Sequence, residues 1–206
     1  APFAESHGHV ALEDFNTAMD VTAITMRKNA VFTSIISQLT PSESSVIKRV
    51  AYEPLYMSHL QDGLGIKGVK KVYLHENLTN LRRVLFIQFE RGVPTTEVWR
   101  ALYGASSLAA AIGKYVMAVN EDIDPSNGDA VFWALAYRAN PALDAQILKH
   151  RVPYGPRDKR SVNGEDSTLL IDATLKSDMP PLALPKKEYM EHAAKLWESL
   201  GLPPLT

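Results

Sequence analysis

Glu5 opens the chain's chemistry, in the stretch Ala1-Pro2-Phe3-Ala4-Glu5-Ser6-His7-Gly8-His9. A carboxyl beside a phenylalanine can be desolvated, which raises its pKa and suits a general acid. An isolated glutamate is otherwise solvated surface. His7 and His9, at i and i+2 on an extended segment, share one face as a metal site would use. No third or fourth ligand is fixed by spacing, and the plainer reading of the pair is a surface loop. Asn120-Glu121-Asp122-Ile123-Asp124 follows an apolar strand at its carboxyl end, where α/β sheets place ligands. Its carboxylates could hold Mg²⁺. The plainer reading is that Asp124-Pro125-Ser126 supplies turn and cap chemistry for the next helix. His150, Arg151, Tyr154 and Arg157 lie in a long basic stretch. Arginine grips carboxylates bidentately, so these residues could line a pocket for an anionic aromatic acid. They could equally face an interface or solvent. Gly63-Leu64-Gly65-Ile66-Lys67-Gly68 matches G-x-G-x-x-G, but a helix precedes it and a strand follows. A dinucleotide loop needs the reverse order, so this is a plain connection.

The elements that must position these groups follow from periodicity. Residues 1–20 read as a loop or irregular strand. Val21–Arg27 and Ala30–Ile36 are rich in β-branched residues and are separated by Lys28-Asn29, which predicts a β-hairpin. Ser42, with Ser45 at N3, predicts a helix start. Pro54 either kinks that helix or starts a second one, ending near Asp62-Gly63. Strands are expected over Val69–Leu74, Arg83–Phe89, Tyr115–Val119 and Thr168–Ala173. Helices are expected from Thr95 and over Gly128–Ala139. Asn140–Glu165 reads as loop. Lys187–Leu200 is a closing helix with Tyr189, Ala193, Leu196, Trp197 and Leu200 on one stripe and Gly201 as its C′ residue. The fold class expected is α/β: a hairpin remnant, then a layered domain with a mixed sheet from about residue 41.

Composition bounds the function. The 206 residues are 46% apolar with net charge −1, enough for a sizeable core and without the basic stripe that nucleic acid requires. There is no cysteine, which removes disulfides and thiol catalysis and fits a cytoplasmic setting. No apolar run approaches the roughly 20 residues of a membrane helix.

Four stretches in order resemble the UbiD family of prenylated-FMN-dependent decarboxylases. They are Ala1–Glu5 with His7-Gly8; Pro41-Ser42-Glu43; Lys114–Asp124 leading to Trp133–Arg138; and Leu169–Thr174 with Pro185–Met190. The first is similar to the family's G-P-F-G-E, with alanine at both glycine positions. The last most resembles members acting on aromatic or phenolic acids. The resemblance implies that residues 1–40 are the last segment of a cofactor-binding split barrel. Residues 41–206 are then a linker helix plus an α/β oligomerisation domain. Glu5 matches the proton-donating glutamate. The partner glutamate would stand immediately before Ala1, and the family's arginine and metal ligands further upstream. Prenylated FMN, with Mn²⁺ and K⁺, would be held mainly by that N-terminal part, as a segment or a separate chain. Some members place a lysine on the cofactor phosphate where this chain has Ser106–Ala110, without lysine. In some relatives a pocket-wall aromatic lies near Tyr154. The expected function is reversible decarboxylation of an aromatic or α,β-unsaturated acid by a homo-oligomer. Two readings compete with it: a non-catalytic α/β binding or oligomerisation module, and an Mg²⁺-dependent phosphotransfer enzyme using Glu121–Asp124.

Overall fold

A computed structural model describes residues 3–4, 10–11, 18–35, 40–75, 83–109, 112–153, 165–177, 179–180 and 183–204. Its backbone divides into two compact units, Ala1–Leu175 and Lys176–Thr206. In the first unit, β1 (Phe3–Ala4) pairs antiparallel with β2 (Val10–Ala11). The expected hairpin over residues 21–36 is corrected: Lys28-Asn29 do turn, but residues 18–35 form no strand and all are exposed. A two-stranded ribbon without further strands or a helix to cover it is marginal, so β-branched propensity alone does not hold it.

Helix α1 (Glu43–Ser58) begins as its sequence dictates. Ser42 Oγ accepts from Ser45 N, and Ser45 Oγ accepts from Ser42 N, closing a capping box. Pro54 lies inside the helix without ending it, and the chain passes into a π-helical turn at His59–Gly63. Gly68 then leads into the sheet at φ +80°, where a Cβ would meet Val93 Cγ2 at 2.4 Å. The G-x-G-x-x-G match is thus a packed helix-to-strand connection.

The main sheet runs in the order β3-β4-β5-β7-β6. Its strands are β3 (Val69–Leu74), β4 (Val84–Phe89), β5 (Tyr115–Asn120), β6 (Ala145–Arg151) and β7 (Asp166–Asp172). β4, β5 and β7 are mutually parallel; β3 and β6 run antiparallel at the two edges. Leu85, Ile87 and Phe89 alternate with Phe86, so the strands feed two cores. One core receives α2 (Thr95–Leu108) through Val98 and Leu102, together with Tyr56 and Leu60. The other receives α3 (Gly128–Arg138) through Val131 and Ala134. This mixed five-stranded sheet between helices is the expected α/β class.

β6 replaces what the sequence presents as loop. It is an edge strand whose apolar residues, Ile147 and Leu148, sit among polar ones, so its alternation is weak. In the second unit, α4 (Lys187–Ser199) forms as expected, and Gly201 ends it at φ +66°. Its stripe residues Tyr189, Leu196, Trp197 and Leu200 are exposed. No helix among the described residues is long and apolar enough to cross a membrane.

Candidate functional site

Parallel β4, β5 and β7 put their amino ends on one edge of the sheet, and antiparallel β6 brings its carboxyl end there too. Each contributes a charge: Arg83 just before β4, Lys114 just before β5, Asp166 at the start of β7 and Arg151 at the end of β6. Lys114 Nζ lies 3.1 Å from Asp166 Oδ1, and Arg83 Nη1 lies 3.7 Å from Asp166 Oδ2. Burial alone would raise the Asp166 carboxyl. The Ser167 amide and the Lys114 and Arg83 cations outweigh it and hold that carboxyl below the ordinary range. Gly113 admits the chain to β5 at φ +80°, where a Cβ would meet Val116 Cγ2 at 2.8 Å.

Arg151 reaches this edge through a β-bulge. The β6–β7 register shifts between Leu148 and Arg151, and His150 adopts φ +62° there. A regular strand would turn residues 148 and 151 to opposite faces. The extra residue instead puts Arg151 on the same face as Leu148, which packs into the α2 core. Arg151 Nη2 then donates to the Ser106 carbonyl and, at 3.3 Å, to the Ala109 carbonyl. Its Nε donates to Thr168 Oγ1 at 3.2 Å. A guanidinium at the carbonyl end of α2 also complements that helix's dipole. The Ser106–Ala109 stretch has no lysine, yet the fold carries the Arg151 cation to it. Nearby, the Tyr56 hydroxyl is buried and finds no hydrogen-bond partner among the described residues. Burial pushes its pKa well up, against the opposing pull of Arg151.

The sequence-stretch candidates divide. His150 and Arg151 reach the edge, with His150 exposed and its Nδ1 2.5 Å from Glu165 Oε2. Glu5, His7, His9, Tyr154 and Arg157 lie outside the described residues. Arg83, Lys114 and Asp166 were not singled out by sequence. Their signal is a charged residue at the start of each parallel strand, readable only once the strands are known to be parallel.

The carboxyl ends of the same strands carry a different arrangement. Asp122 accepts from Arg138 Nη1 at 3.0 Å and Nη2 at 2.6 Å, and from Arg91 Nη2 at 3.2 Å. Arg138 is 2% exposed and stacks over Trp133 at 4.9 Å. The Arg138 hydrogen bonds come first among the causes that hold the Asp122 carboxyl low; burial opposes them. Asp124 Oδ1 accepts from Ser126 N, and Asn127 caps α3. These carboxylates are engaged in folding the loop, as the turn-and-cap reading expects. Among the described residues, no group of three or more His, Cys, Asp or Glu is placed to hold a metal.

The family profile of the 3-octaprenyl-4-hydroxybenzoate carboxy-lyase C-terminal domain matches residues 45–173. This chain belongs to the UbiD family. The matched span runs from α1 through β7 and contains every charge on both ends of the sheet. Among solved structures, the chain is similar to the UbiD-class enzyme HmfF of Pelotomaculum thermopropionicum, described in complex with FMN. Identity there is 22% and the TM-score 0.72, over 94% of this chain and 43% of that one. It is also similar to the vanillic acid decarboxylase of Sedimentibacter hydroxybenzoicus in its closed form. That match has 22% identity and a TM-score of 0.71, over 97% of this chain and 42% of that one. The 3,4-dihydroxybenzoic acid decarboxylase of Klebsiella pneumoniae matches at 15% identity and TM-score 0.56, over 76% and 35% of the two chains. The UbiD chain described here therefore spans less than half the length of these enzymes.

Proposed function

We propose that this chain is the C-terminal part of a UbiD-class carboxy-lyase acting in the cytoplasm. It would remove, and in reverse add, the carboxyl group of an aromatic or α,β-unsaturated acid. The carrying observation is the family match over residues 45–173, which contains the sheet edge bearing His150 and Arg151. The domain division follows the family: residues 1–40 complete a cofactor-binding barrel, and 41–206 form the linker helix and the α/β domain.

Prenylated FMN, when bound, supplies the electron sink for loss of CO₂. The cationic edge has the charge to face an anionic ligand, which is what the described residues offer toward such a complex. By the family resemblance, Mn²⁺ and K⁺ would be held mainly by the N-terminal part. The role of this chain's own residues is to bind and to move a proton. Glu5 delivers the proton to the carbon that loses CO₂, as general acid. His150, Arg151 and Tyr154 line the acid's pocket, with Arg151 held in place by α2 and Thr168. A homo-oligomer suits the exposed stripe of α4 and the exposed Val46, Ile47 and Val50 on α1. The same surfaces favour a second reading, a non-catalytic oligomerisation module.

Pairing the chain with a UbiD-class N-terminal polypeptide loaded with prenylated FMN separates the two. CO₂ release from an aromatic acid that falls at least about 100-fold in Glu5→Gln supports catalysis. Assembly without Glu5-dependent turnover supports the module.

A further inference from the structure

No further inference is drawn: the strongest candidate, the open groove where Lys67, Arg91 and Val93 meet the start of α2, rests on a helix N-terminus and exposed cations, with no second feature among the described residues that points to a ligand.

Discussion

Replacing Asp122 with alanine tests whether the carboxyl-end clamp holds the domain together. Arg138 is 2% exposed, and both of its Nη atoms bond to Asp122. Removing one member of a buried pair leaves an uncompensated charge and costs about 3–5 kcal/mol. Asp122 is itself 20% exposed, so water can partly take its place, and the lower end, about 3 kcal/mol, applies. For a chain of this size that lowers the melting temperature by about 6–12 °C. Trp133 stacks on the same guanidinium, so Asp122→Ala/Arg138→Met should recover most of the loss by filling the site with apolar atoms. Thermal unfolding by circular dichroism on the wild type, both single variants and the double variant gives the coupling directly. A shift below about 2 °C for Asp122→Ala, or a double variant as unstable as the sum of the singles, would refute the clamp.

Gly113→Ala forces a Cβ against Val116 at a φ of +80° and should lower stability by about 1–2 kcal/mol in urea unfolding. His150→Gly relieves the left-handed backbone at the β6 bulge and should be neutral or stabilising. His150→Val at the same position should cost about 1–2 kcal/mol in the same assay. Asp122 and Asp166 both have folded pKa values below their ordinary 3.8. Their contribution is therefore complete above that value and lost as pH falls through the lower folded values, so acid titration should show a stability decline confined to that range.

Much of the fold was legible because periodicity and caps were clean. Ser42 and Ser45 announce α1, and the run of β-branched and aromatic residues in Val84–Phe89 announces β4. β6 was hidden because an edge strand with a bulge has neither a continuous apolar run nor strict alternation. The residues 21–36 misled for the opposite reason: their propensity is strong, but no described strand pairs with them. Of the site, Arg151 was legible as a basic residue near an aromatic one. The bulge that aims it, and the strand parallelism that brings Arg83, Lys114 and Asp166 beside it, are tertiary facts without a local signature. Asp122 was visible as an acid, but its partner lies 16 residues away on α3.

The central claim, that this chain completes a UbiD-class carboxy-lyase, is tested most directly by reconstitution. The wild-type chain and its Glu5→Gln variant are each combined with a prenylated-FMN-loaded UbiD-class N-terminal polypeptide, and CO₂ release from a panel of aromatic acids is measured. The account predicts turnover with the wild type and a loss of at least about 100-fold with Glu5→Gln. Equal rates for the two, or an assembled complex with no turnover on any acid of the panel, would contradict it.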